Sequence, residues 1–255
     1  MEESHAFVVL AYGQSPFLES CFQSLCAQER GGRVVVTTST PNSVIAQAVE
    51  ARGLELIVNP RRSGIAADWN FGLQATSARY VTLAHQDDTY HPRFLAASLD
   101  RLRGDGALCF TSYEEVDDQG QAAASKISRV QHLIEAVTLG GSERPSNRRM
   151  RAFLAFGNPL PCSSVTFDRH RLGAFAFSGD FASNLDWDAW LRLLEAGETF
   201  VRVPERLVGR RRNRHTATSQ LIADGRRQSE DLQMFRRIWP RPIADLIAFA
   251  YRAGY

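Results

Sequence analysis

The sequence predicts an α/β protein in which a mostly parallel central sheet is flanked by helices. Three observations carry this. The first sixty residues alternate short apolar runs with segments of helical periodicity, in the order βαβαβ. A later run, Tyr80 to Ala84, breaks off into His85-Gln86-Asp87-Asp88. That places two carboxylates at the C-terminal end of a buried strand, where open α/β sheets build ligand crevices. No repeat or linker divides the 255 residues, so a single domain is expected.

The elements follow in order. Phe7 to Tyr12 is apolar throughout, which marks a central strand, and Gly13-Gln14 turns the chain. Ser15-Pro16 reads as a helix start, cap followed by a residue with preset φ. Phe17, Leu18, Cys21, Phe22 and Leu25 continue it at helical spacing up to Gly31-Gly32. Arg33 to Val36 is a second strand that runs into the polar loop Thr37 to Asn42. A helix through Val44, Ile45, Ala48 and Val49 leads to a third strand, Leu54 to Val58. The helix carrying Asp68, Trp69, Asn70 and Leu73 precedes the strand Tyr80 to Ala84.

Pro92 to Arg103 predicts a helix and Ala107 to Tyr113 a strand. Residues 121 to 150 are weakly patterned and carry no assignment. A short helix is expected over Arg151 to Phe156, and a strand over Ser163 to Phe167. Trp187, Trp190, Leu191 and Leu194 share one helix face behind Asn184-Leu185-Asp186. Phe200 to Val203 is a strand ended by Pro204. A basic run follows, with Arg206, Arg210, Arg211, Arg212, Arg214 and His215. Helices are expected over Leu221 to Trp239 and Ile243 to Arg252.

Composition excludes several classes. The net charge of +2 gives no footprint for nucleic acid, and no apolar run is long enough to span a bilayer. Cys21, Cys26, Cys109 and Cys162 match no zinc spacing. With no signal peptide ahead of them they read as reduced thiols of a cytoplasmic protein. Phe235, Ile238, Trp239 and Phe249 among arginines leave a peripheral hold on an anionic membrane open.

Two adjacent acids at a strand end repel each other. A divalent cation bound to phosphate would relieve that repulsion. The competing reading makes Asp88 the cap of the helix near Pro92. Asp186 is either an acid at the crevice, favoured as a carboxylate by a helix N-terminus, or only the cap of its helix. Tyr12 is either a crevice residue or a core aromatic.

Taken together, these motifs resemble family 2 glycosyltransferases, enzymes of the Rossmann-like GT-A fold. The match runs through the opening strand and Tyr turn, the loop Val36 to Ser43, Asn59 to Asn70, His85 to Asp88, Asp186 to Arg192, and Arg212 to His215. The resemblance implies an inverting, metal-dependent, hexosyltransferase-like enzyme. It would move a sugar from a nucleoside-diphosphate donor of UDP or dTDP type to a hydroxyl acceptor in glycoconjugate or surface polysaccharide synthesis. It implies Asp186 as the catalytic base and Asp88 as the ligand of Mn2+ or Mg2+. Ala11, Tyr12, Thr37, Ser39, Asp68, Asn70, Asp87, Arg212 and His215 would contact the nucleotide sugar. Residues 1–118 would form the donor half and 119–255 the acceptor half.

The sequence also departs from that pattern. Thr37 and Thr38 stand where the family carries an acid, Trp69 where it carries Arg, His85 or Gln86 where the first acid of its Asp-x-Asp motif lies, and Leu185 where it has Glu. These departures leave a non-catalytic nucleotide-sugar or glycan-binding module as the alternative. A nucleotidyltransferase is disfavoured, because Ala11-Tyr12-Gly13-Gln14 lacks a Gly-rich phosphate loop with a cation.

Overall fold

The computed structural model describes residues 5–61, 64–211 and 225–252. The apolar runs of the first half become β1 (His5–Ala11), β2 (Arg33–Thr38), β3 (Glu55–Val58) and β4 (Tyr80–His85). They join β5 (Thr89–Tyr90), β6 (Leu108–Val116), β7 (Val165–Asp168) and β8 (Phe200–Arg211). Among the described residues these form one sheet of order β3-β2-β1-β4-β7-β6-β8-β5. The first four strands pair in parallel. β7 is antiparallel to both β4 and β6, so β6 and its parallel partner β8 run the same way as β4. The C-terminal ends of β1, β2, β4, β6 and β8 therefore share one edge of the sheet.

Both faces of the sheet are covered, which explains the unbroken apolar runs. On one face lie α1 (Leu18–Cys26), α2 (Ser43–Glu50) and α4 (Phe94–Leu102), packed around Phe7, Val9, Val36 and Tyr80. On the other lie α3 (Ile65–Gln74), α6 (Asn147–Leu154), α8 (Leu185–Glu195), α9 (Arg226–Ile238) and α10 (Arg241–Arg252). Trp187 and Trp190 anchor α8. Both are fully buried, and their indole N–H groups donate to the carbonyls of Leu154 and Leu160 at 3.1 and 3.0 Å. Buried indoles need such partners.

Several expectations change. Residues 126–138, left unassigned, form α5 (Lys126–Thr138). This helix is amphipathic in reverse: it buries Ser128, Gln131 and Glu135 and exposes Val130, Leu133 and Val137. Gln131 accepts from the Tyr113 hydroxyl at 2.6 Å, and Glu135 pairs with Arg202 at 2.7 Å. A reading based on apolar periodicity cannot find such a face. The strand beginning at Phe200 does not end at Pro204. Its register against β6 shifts there, so the proline sits at an irregularity and the strand continues to Arg211. The basic run thus begins on a strand. Asp88 caps no helix, because β5 intervenes and α4 starts at Phe94. Phe235, offered to a membrane in the sequence reading, is fully buried in the core, while Phe249 is exposed. No helix of the described residues is long and apolar enough to cross a membrane.

His5, at the start of β1, is buried and hydrogen-bonds Thr82 Oγ1 at 3.0 Å. Burial, aided by the Arg30 charge, pulls its pKa down from 6.5 to about 3. The unfolded chain therefore binds the proton first on acidification. Stability should fall as pH drops from about 6.5 toward 3, by up to roughly 4 kcal/mol. Urea unfolding across that range checks this, and His5→Gln should flatten the slope.

Candidate active site

The shared strand edge gathers the polar residues. Ala11 and Thr38 are register partners, as are Leu10 and His85. The Gln86 side-chain amide locks the main chain of Tyr12 in two directions. It accepts from the Tyr12 N–H at 3.0 Å and donates to the Tyr12 carbonyl at 2.9 Å. Tyr12 is 52% exposed, so it is not a core aromatic. α1 proper begins at Leu18, and the Ser15 hydroxyl oxygen accepts from the Phe17 N–H at 3.2 Å just ahead of it. The same hydroxyl donates to Asp87 Oδ1 at 2.6 Å, so the residue that signals the helix start also supports the acidic turn.

Asp88 points inward and is 3% exposed. Its Oδ1 accepts from the main-chain N–H of Arg211 at 3.0 Å. The Arg211 side chain donates to the carbonyls of Asp87 and Asp117 and lies 4.3 Å from the Phe17 ring centre. The end of β8 is thereby fastened to the acidic turn. Burial pushes the Asp88 carboxyl up, against the charges of His85 and Arg210 and the Arg211 N–H.

β5 approaches β8 closely because residue 209 is glycine. A Cβ there would meet Thr89 Oγ1 at 2.6 Å. Gly209→Ala should destabilise the fold by about 1–3 kcal/mol through overpacking. Adding Thr89→Ala should restore part of that loss, as read from urea midpoints.

Asp186 lies in the first turn of α8, but the cap position belongs to Asn184. The reading of Asp186 as a helix cap is therefore set aside. Its Oδ1 accepts from the next N–H, that of Trp187, at 2.9 Å. Burial pushes its carboxyl up, against the charges of Arg227 and Arg210, the Trp187 N–H and the charge of His85. Asp88 and Asp186 come from opposite halves of the chain, and the charges of Arg210 and His85 oppose the upward push of burial on both. Burial works against the charge of Arg210, but Tyr113, Asp88, Glu115 and Asp186 together hold its pKa above the ordinary value. Carboxyls shifted by burial and by a common charge are where function concentrates.

Other expected contacts are turned inward. Asp68 accepts from Ser39 Oγ at 2.8 Å and from Asn59 Nδ2 at 2.9 Å, tying α3 to the loops after β2 and β3. Thr37 and Ala11 are buried at 3% exposure. Asn70 uses both ends of its amide on the main chain of Phe177, at 2.9 and 2.7 Å. Trp69 packs between His85 and Phe177, with ring centres 5.2 and 4.9 Å away. Two of the sequence's departures, Trp69 and His85, are thus neighbours in space. Arg212 and His215 lie outside the described residues.

A divalent cation can be weighed against the donors present. No group of three or more His, Cys, Asp or Glu among the described residues could hold a metal on its own. Asp87 and Asp88 each commit one oxygen to the bonds above and offer hard oxygen donors. That set suits Mg2+ or Mn2+ shared with substrate phosphates, which normally complete the shell. Arg210, His85 and Gln86 were the residues that sequence reasoning missed or left without a role. Arg210 had drawn notice only within a basic run, and His85 and Gln86 only as departures from the Asp-x-Asp pattern.

Residues 6–163 match the family model described as Glycosyl transferase family 2. Among solved structures, S. aureus TarS 1–349 in complex with UDP-GlcNAc aligns with a TM-score of 0.68 at 13% identity, over 96% of this chain and 70% of that one. The mannosyltransferase PcManGT from Pyrobaculum calidifontis, in complex with GDP-Man and Mn2+, gives 0.65 at 16% identity, over 97% and 69%. Glucosyl-3-phosphoglycerate synthase from Mycobacterium tuberculosis, in complex with phosphoglyceric acid, gives 0.56 at 17%, over 93% and 80%. No curated protein matches the chain significantly. At these identities the structural likeness establishes the GT-A fold.

Proposed function

The chain belongs to glycosyl transferase family 2, and we propose that it is an inverting enzyme that moves a sugar from a UDP- or dTDP-type donor to a hydroxyl acceptor. The reading is carried by the pair of acids, Asp88 and Asp186, whose carboxyls are both pushed up by burial and both feel the charges of Arg210 and His85. Asp186 takes the proton from the acceptor hydroxyl as its oxygen attacks the anomeric carbon. The bond from that carbon to the phosphate oxygen breaks, the diphosphate leaves with the electron pair, and the configuration inverts. A base in hydrogen-bond reach contributes about 10²–10⁴-fold.

Asp88, with Asp87 beside it, would hold Mn2+ or Mg2+. When bound, that ion would neutralise charge on the departing diphosphate. The exposed Tyr12 ring offers a stacking surface for the base. Ala11, Thr37, Ser39, Asp68 and Asn70 shape that end of the crevice, mostly by fixing its loops. Arg212 and His215 are kept as diphosphate contacts on the strength of the sequence pattern. Residues 1–118 serve the donor and 119–255 the acceptor, in cytoplasmic glycoconjugate or surface polysaccharide synthesis. The exposed apolar residues of α10 leave the peripheral membrane contact as part of this reading.

The test is a panel of UDP-, dTDP- and GDP-sugars with Mn2+, with Mg2+ and with chelator, read as release of nucleoside diphosphate and as the anomer of the product. Cation-dependent release with inversion is expected. Tight donor binding without turnover on any acceptor would replace the enzyme with the binding module.

A further inference from the structure

Asp186 stands on α8 between the buried Leu185 and Trp187, and the loop that leads into it packs Phe181 against the core. The α8 cap residue, Asn184, makes no side-chain cap. A carboxylate from α9 does the work instead. Glu230 Oε1 accepts from the Ala182 N–H at 2.8 Å. Its Oε2 accepts from the N–H groups of Ser183 and Asn184 at 2.9 and 3.1 Å and from the Ser183 hydroxyl at 2.6 Å. One turn away on the same helix face, Arg227 donates to the Ser183 carbonyl at 3.3 Å, and Asp231 accepts from Asn184 Nδ2 at 2.9 Å. Arg227 and Asp231 also pair with each other at 3.3 Å. Burial disfavours the Glu230 charge, but these donors hold its carboxyl below the ordinary range.

Three consecutive main-chain N–H groups converging on one carboxylate form a grip on the two residues before Asn184 and on Asn184 itself. Asp186 follows two positions later. We propose that Glu230 is the positioning residue for Asp186, setting where its carboxylate stands relative to the acceptor hydroxyl. The inference rests on the reading of Asp186 as the base. Charge-assisted bonds from a rigid helix are suited to that task, and small displacements of a base are costly to rate.

The variant is Glu230→Gln. It keeps the shape but turns an NH2 toward main-chain donors. With the best turnover donor from UDP-glucose, UDP-N-acetylglucosamine and GDP-mannose, kcat should fall about tenfold while the donor KM moves less than about twofold. In an Asp186→Asn background the same change should alter the remaining rate by less than about twofold, because the group it positions is gone. Hydrogen exchange should accelerate over residues 182–190 and stay unchanged over β1 to β4. Unchanged exchange over 182–190 overturns the proposal. So does an equal loss of rate in both backgrounds, which would mark general damage. If Asp186→Asn itself leaves the wild-type rate intact, the base assignment fails and this inference goes with it. If wild type transfers normally and only the non-additivity is missing, the inference alone fails.

Discussion

Asp186→Asn is expected to lower kcat/KM for transfer by about 10²–10⁴-fold, with little change in donor affinity. The amide keeps the size of the side chain and can still accept from the Trp187 N–H. It cannot take a proton. Thermal unfolding should move little, because the charge removed is only partly buried. The pH profile gives a second check. Burial pushes the Asp186 carboxyl above the ordinary aspartate range. The base works only when ionised, so kcat/KM should fall as pH drops through a limb lying above the usual value near 4. Wild-type turnover that stays flat down to pH 4, or full activity in the amide variant, would take the proton-transfer role away from this residue.

The second large effect concerns the acidic turn. Asp88→Asn keeps an acceptor for the Arg211 N–H, and Asp88→Ala does not. Both variants lose the charge. Both should lose on the order of 10²-fold or more in transfer, with a raised Mn2+ requirement, because an electrostatic stabiliser of the leaving group is gone. Only the alanine variant should also lose stability, by about 1–3 kcal/mol, since it leaves a buried N–H unpaired. Activity titrated against Mn2+, alongside urea unfolding, separates the two. Asp87 is the more open of the pair, and its Ser15 partner would accept Asn in its place. If Asp88→Asn is active and Asp87→Asn is not, the cation belongs to Asp87.

The comparison of residues with structure has a consistent logic. Strands β1, β2 and β4 and helices α1, α2 and α4 were legible because their buried faces are mainly apolar. α5 was not, because its inner face consists of Ser128, Gln131 and Glu135; Gln131 and Glu135 meet polar partners on β6, and Ser128 bonds back to the cap residue Ser125. The continuation of β8 past Pro204 was hidden for a similar reason. A proline normally ends a strand, and only the register shift against β6 makes room for it.

The sequence by itself determined the α/β class and the family. Local pattern and motif order suffice for these, because side-chain periodicity and turn chemistry act over a few residues. Tertiary structure alone decided that Arg211 fastens the end of β8 to Asp87 and Asp88, that Gln86 locks Tyr12, and that Glu230 holds the loop before Asp186. Each of these depends on residues far apart in the chain meeting at one point. That meeting is fixed by strand order and helix packing, which no short stretch of sequence encodes.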